Sequence, residues 1–213
     1  MRITISKENY LKAIAEAESE GEIVKAVTLT RWLHVSAPAV TMAIKRLKRD
    51  LLIRVARDGR LTLTASGREI ASRLLNRHHL IERMLTEIFG LEWYKVHDEA
   101  EQMEHAVSAD FEAKLVEKLG IDAPCPHGNV VGLDSPRERR KRGLKLLEEA
   151  RPREQVTVVS VFERDRKLLE YLDNLGVRPG ARMEVLKAGE IRTAGRVVKL
   201  TPTAAARVWV KAG

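Results

Sequence analysis

The stretch VHDEAEQMEHAVS, residues 96–108, limits this chain more than any other. Wound as a helix of about 3.6 residues per turn, it sets Val96, Ala100, Met103 and Val107 along one apolar stripe. His97, Glu101, Glu104 and His105 then line up directly beside that stripe. Acidic groups near one another repel, and a carboxylate near a dry core is costly unless something cancels its charge. An earlier stretch, RHHLIERML, poses the same problem, because His78 and Glu82 lie four apart on one helical face. A divalent cation, held by neutral imidazole nitrogens and carboxylate oxygens, answers it directly. A single His-x3-Glu would read as a solvated face laced with ion pairs. Two such sets on adjoining helices favour the cation.

The surrounding chain has room for such a site. It has 213 residues, enough for two domains or three small ones, and 44% hydrophobic residues, an ordinary globular content. No run approaches the roughly 18 consecutive apolar residues of a membrane span, and MRITISKENY lacks the apolar core of a secretory signal. The single cysteine, Cys125, excludes an intramolecular disulfide framework, so a reducing cytoplasm is expected. A net charge of +8 points to an anionic partner, nucleic acid before membrane.

The first third reads as a winged helix-turn-helix. Tyr10, Ile14 and Ala17 suggest a first helix, and Thr28 is placed to cap a short second one, LTRWLH. Ser36 then stands where an N-cap belongs, and Pro38 suits a first turn. Val40, Ile44, Leu47 and Leu51 supply the apolar stripe of a third helix. Its outward face offers Ala37, Ala39, Thr41, Met42, Lys45, Arg46, Lys48 and Arg49. Small side chains at its start let the backbone approach base edges, and the later cations meet phosphates. LIRVARDGRLTLT follows as a hairpin turning at Asp58-Gly59, with Arg57 and Arg60 at its tip. Residues 36–60 carry seven Lys and Arg against two Asp, which favours double-stranded DNA over a protein partner. Thr28, Ser36 and Pro38 are counted with this DNA-contacting set.

Beyond Thr64 a long helix with Ile70, Leu74, Ile81, Leu85 and Ile88 runs to Gly90, and SADFEAKLVEKLG gives another, capped by Ser108. Cys125-Pro-His127 is expected to be a Pro/Gly-rich turn rather than a further metal pair, since two candidate ligands do not make a site. Residues 137–153, with eight Lys and Arg, read as a solvated charged linker. QVTVVSVF, ARMEVL, GRVVKL and ARVWV read as short strands, RKLLEYLDNLG as a helix, and Pro179-Gly180 as a turn.

The winged helix, ENYLKAI, RHHLIERML, VHDEAEQMEHAVS and CPHGN resemble the diphtheria toxin repressor family of iron- and manganese-dependent transcriptional regulators, over roughly the first 135 residues and more weakly beyond. The resemblance implies a mainly α protein with a small β domain: a winged helix-turn-helix (1–72), a helical metal-binding and dimerisation domain (73–136), the linker (137–153) and an SH3-like barrel (154–213). It implies an activating metal site at Asn9, Glu101, Glu104 and His105, and an ancillary one at His78, Glu82 and His97. Glu163 and Asp165, in the C-terminal domain, are candidates to complete the latter. His79, Asp98 and Glu99 fall off the ligand positions and read as surface or supporting groups. Iron-responding members carry cysteine at Glu101 and methionine at Asn9, so the oxygen donors here favour Mn²⁺, with Fe²⁺ the alternative. Lys12 stands where manganese-type members have a second acidic residue, which favours two separate sites over a closely spaced pair of ions. The implied function is a homodimeric, metal-activated repressor of metal-uptake genes binding operator DNA. A carboxylate-bridged metalloenzyme fits less well, since Gln102 and Leu75 stand where Glu-x-x-His would need glutamates. A winged-helix regulator answering to an organic ligand leaves the His/Glu stripe unexplained.

Arg46→Ala or Arg49→Ala is expected to weaken binding to every DNA sequence and to lower the slope of log affinity against log salt by about one unit. Thr41 and Met42 substitutions are expected instead to change base preference. Binding isotherms at several salt concentrations separate the two effects, and an unchanged slope would remove these arginines from the phosphate-contacting set.

Overall fold

Thr4 starts the first helix: its hydroxyl accepts the Lys7 N–H, and α1 (Ile5–Ser19) follows, burying Leu11, Ile14 and Ala17. The structure is a computed structural model that describes residues 3–187 and 189–213. They divide into two units, 1–77 with 134–136, and 78–133 with 137–213.

In the first unit α1 packs against α2 (Ala26–Leu33) and α3 (Ala37–Arg49). α2 begins two residues before Thr28. Thr28 is buried, and its Oγ1 accepts the Lys25 N–H at 3.1 Å and donates to the Ile23 carbonyl at 3.4 Å. Thr28 is therefore the third residue of the helix rather than its N-cap, its hydroxyl capping the Lys25 N–H inside the unit rather than facing outward. His34 closes the helix in the left-handed region, φ 52°. Ser36 caps α3 by accepting the Ala39 N–H, with Pro38 in the first turn. The buried stripe of α3 is Val40, Ala43 and Leu47, while Ile44 is only half-buried. Leu51 falls beyond the helix end, with φ 58° and 76% exposure, so Leu52 takes its place in the core. Ala37, Pro38, Ala39, Thr41, Met42, Lys45, Arg46 and Arg49 are all exposed.

The antiparallel strands β1 (Ile53–Val55) and β2 (Leu61–Leu63) pair Ile53 with Leu63 and form the wing. Its turn is closed by Asp58, whose carboxylate accepts the Arg60 N–H at 3.1 Å, and Arg57 and Arg60 stand exposed on it. Lys12, standing where manganese-type members of the resembled family have an acidic residue, is buried beside Glu16, 3.9 Å away.

α4 (Ala65–Arg83) runs on into a π-helical turn, Met84–Ile88. In the second unit it is followed by α5 (Val96–Met103) and α6 (Ala109–Leu119), the latter capped by Ser108 accepting from the Phe111 N–H. Leu80, Ile81, Met84, Leu85, Val96, Ala100 and Leu115 form their shared core. α5 stops at Met103, short of the full stretch read as helical, so Glu104 lies at its cap and His105 in the turn beyond. Ile88 is exposed.

The segment read as a linker is structured. It holds α7 (Pro136–Lys141), β3 (Leu144–Leu146) and a short 3-10 turn, Leu147–Glu149. Its charges are mostly outward, yet Leu144 and Leu147 are buried and β3 pairs with the last strand. After β4 (Gln155–Val161) and α8 (Arg166–Asn174) come β5 (Arg182–Lys187), β6 (Glu190–Thr193), β7 (Arg196–Lys199), the short α9 (Pro202–Ala205) and β8 (Val208–Ala212). The six strands form one antiparallel sheet in the order β3-β8-β4-β5-β6-β7, around Val156, Val158, Leu169, Leu172, Met183, Val185, Ile191, Val208 and Val210. The protein thus has the expected plan: a winged helix, a helical middle and a small SH3-like β domain.

The loop after α6 is fastened to this sheet. Val161 donates its N–H to the His127 carbonyl at 3.0 Å, and Gly128 sits so close that a Cβ there would lie 1.9 Å from the Val159 carbonyl oxygen. Gly128 also has φ 83°. Gly132 has φ 82° but open space around it. Gly128→Ala is therefore expected to destabilise by about 2 kcal/mol or more, and Gly132→Ala by about 1 kcal/mol. Thermal melting of the two variants checks this, and equal shifts would mean that the close approach is relieved without cost.

Candidate metal centre

α4 carries His78, His79 and Glu82 into the second unit on adjoining faces, as the 3.6-residue repeat requires. All three are buried, and so is His97 on α5. Glu82 Oε1 receives three imidazole nitrogens: His78 Nε2 at 3.1 Å, His97 Nδ1 at 3.2 Å and His127 Nδ1 at 3.4 Å. Its second oxygen, Oε2, is buried with no hydrogen-bond partner among the described residues. A fully buried carboxylate with one crowded and one orphaned oxygen fits a cation better than a closed hydrogen-bond network.

The hydrogen bonds further out set the ring nitrogens for ligation. His78 Nδ1 lies 2.7 Å from Glu104 Oε2 while Nε2 faces Glu82 and His97, so donating Nδ1–H to Glu104 would leave the Nε2 lone pair for an ion. His127 donates Nε2–H to the Trp93 carbonyl at 2.9 Å, leaving Nδ1 to face Glu82. This is how metal-binding imidazoles are held in one tautomer.

Two groups of donors result. In one, His78, Glu82 and His97 offer ligand atoms within 4.8 Å of one another; in the other, His79, Glu82, Cys125 and Glu163 do so. Glu82 belongs to both. His127 Nδ1 adjoins the second group, 3.6 Å from Glu163 Oε2 and 3.8 Å from Cys125 Sγ. Cys125 does open a turn, closed by the Gly128 N–H donating to its carbonyl at 2.8 Å, but its thiol is buried among candidate donors. His79, expected to be a surface or supporting group, is buried with Nε2 4.0 Å from Glu163 Oε1. The signal in the sequence was the Cys-x-His spacing itself; what hid it was that the fourth donor, Glu163, lies after β4.

The neighbouring rings keep the buried carboxyls ionised. Burial raises the Glu82 carboxyl, but the His127 and His78 rings outweigh it and hold it well below the usual range. Burial and Glu82 likewise raise Glu163, yet His79, His97 and His127 bring it down to about 2. Burial, together with Glu82 and Glu163, pushes the Cys125 thiol well up. Burial lowers His79 despite the neighbouring Glu163 and Glu82, while Glu82 raises His127 against its burial.

The other candidates are arranged differently. Glu104 joins His78 to His105, whose Nε2 lies 3.5 Å from Glu104 Oε1. Glu101 is exposed, accepts Arg164 Nη1 at 3.0 Å, and comes within 3.7 Å of His97 Nε2. Asn9 lies on α1 in the first unit. Asp165 does not reach the cluster: it is exposed and caps α8, accepting the Leu168 N–H at 3.0 Å.

A winged helix joined to a helical middle with buried imidazoles, carboxylates and a thiol defines a metal-dependent transcriptional regulator. Three domain families match in order: the iron-dependent repressor N-terminal DNA-binding domain over residues 2–61, the iron-dependent repressor metal-binding and dimerisation domain over 64–131, and the FeoA domain over 145–212. The diphtheria toxin repressor of Corynebacterium efficiens is 33% identical over 201 residues, 90% of this chain and 85% of that protein. The iron-dependent repressor IdeR of Mycobacterium tuberculosis is 34% identical, over 84% of this chain and 82% of its own. A solved manganese-dependent transcriptional repressor in complex with manganese superposes with a TM-score of 0.85 at 31% identity, covering 97% of this chain and all of that one. The chain belongs to the diphtheria toxin repressor family. It is a repressor, not an enzyme.

Because the Cys125 thiol is held protonated, metal entering its group must displace a proton, and acid weakens binding. Co²⁺ affinity at this group is expected to rise with pH across neutrality, and Cys125→Ser to flatten the slope by about one proton. Competition with a chromophoric chelator at several pH values measures both slopes, and a parent slope no steeper than that of the serine variant would take the thiol out of the ligand set.

Proposed function

We propose that this protein is a divalent-metal-activated repressor that binds double-stranded operator DNA as a homodimer, with Mn²⁺ as its physiological activator. The orphaned Oε2 of Glu82, buried among imidazoles, carries the reading that metal is bound at all. Asn9, Glu101, Glu104 and His105 are proposed as the activating ligands. Their oxygens and single imidazole make a hard donor set, and Mn²⁺ tolerates such a set better than softer metals do. His78, Glu82 and His97, with the Cys125 group beside them, form the ancillary region. Fe²⁺ is the second reading, favoured by the buried Cys125 thiol, a softer donor than any carboxylate.

The exposed faces of α3 and the wing supply the DNA contacts, with Ser36, Ala37, Pro38, Ala39, Thr41 and Met42 near base edges and Lys45, Arg46, Arg49, Arg57 and Arg60 at phosphates. In a two-fold dimer the two α3 helices would enter successive major grooves, about 34 Å apart. Ile88, Phe89, Phe111 and Ile121 leave apolar surface open on the helical part of the second unit, which suits self-association. Among the described residues no helix is long and apolar enough to cross a membrane. A cytoplasmic location fits a lone, reduced cysteine.

Activation requires tighter metal binding to the DNA-competent state than to the other, a coupling that is typically worth about 5- to 150-fold in affinity. Anaerobic titration of operator binding with Mn²⁺ and with Fe²⁺ tests the proposal. Mn²⁺ is expected to stimulate binding within that range, His105→Ala to abolish the stimulation, and His78→Ala to reduce it. If both variants respond like the parent, the sensor lies outside these residues; stronger stimulation by Fe²⁺ selects the second reading.

A further inference from the structure

The charged run of α7 contains one residue that does not behave like its neighbours. Arg137, Arg140, Lys141 and Arg142 are exposed, and Arg140 and Lys141 pair with Glu149 and Glu138. Arg139 is 2% exposed, among the largest fully buried side chains of the protein. Its guanidinium lies 5.1 Å from the centre of the Trp209 ring on β8. Arginine is seldom fully buried, because its charge is expensive to withdraw from water. An apolar side chain of similar length would fill the same space.

Arg139 is directed at the donor cluster through one intermediate. Its Nη2 donates to Asn129 Oδ1 at 3.0 Å. Asn129, also buried, donates Nδ2–H to Glu163 Oε2 at 2.5 Å and to the Val161 carbonyl at 3.3 Å. The guanidinium can only donate, so it obliges the amide to present its oxygen to α7 and its NH₂ to the carboxylate. Glu163 Oε2 is then anchored, and Oε1 faces His79.

We propose that Arg139 is a positioning residue for the metal centre: through Asn129 it orients Glu163 before any ion arrives, and so sets the affinity of the His79–Glu82–Cys125–Glu163 group. This rests on the reading that the group binds a divalent cation. Partners of this kind, one bond removed from a ligand, typically change metal affinity 10- to 100-fold when lost.

The test uses the full-length protein and Co²⁺, followed by the thiolate-to-cobalt absorption band and by chelator competition. The parent is expected to show the band. Arg139→Met is expected to weaken Co²⁺ binding at this group about tenfold or more, and Arg139→Lys, which keeps a donor and the charge, to recover part of the loss. In a Glu163→Gln background, Arg139→Met is expected to have little further effect. If Arg139→Met does not fold, Asn129→Ala leaves α7 and its arginine in place and carries the same expectation. A parent without the thiolate band overturns the reading of the group itself. A parent with the band and an Arg139→Met variant of equal affinity overturns the positioning role. An equal loss with and without the Glu163 carboxylate also overturns it, because the effect would then come from general packing.

Discussion

A carboxylate shut away from water has to be neutralised where it stands, and much of the second unit is organised around that requirement at Glu82. Three imidazole nitrogens crowd one of its oxygens while the other is left over. The groups around them each remove one freedom. Glu104 holds the ring of His78, the Trp93 carbonyl fixes the tautomer of His127, and Asn129 fixes the carboxylate of Glu163. Ligands held this way need little rearrangement to accept an ion.

The periodic parts of this arrangement were legible in the sequence. A 3.6-residue repeat brought His78 and Glu82 to one face and put His97 beside a buried stripe, and capping chemistry located the starts of α3 and α6 at Ser36 and Ser108. The parts missed share one property: their burial is decided by segments distant in sequence. Thr28 looked like the N-cap, rather than the N3 partner of a capping box, because nothing local says that the helix starts earlier at Ala26. Cys125 and His127 sit in an aperiodic loop and are buried because that loop hydrogen-bonds to β4. Asp165 and Glu163 were equal candidates on the same connection, and only the geometry separates the helix cap from the member of the cluster.

The connector teaches the same lesson through charge. Averaged over its length, residues 137–153 read as solvated, and most of their charges are. Composition does not say which cation turns inward, and the short apolar pair Leu144 and Leu147 gave too little periodicity to reveal a strand that pairs with the C-terminal one. Local patterns report averages, whereas a site depends on exceptions.

Glu82, Cys125 and Glu163 come from a helix, a loop and the segment after a strand. An ion gripped by all of them would close two long loops of chain at one point. Closing a loop removes conformational freedom mainly from the unfolded ensemble, and the effect grows only slowly with loop length. The centre would therefore act as a reversible cross-link as well as a detector, in a chain whose lone cysteine rules out an internal disulfide. Metal supply would then govern how long the protein resists unfolding and proteolysis, alongside whether it holds DNA.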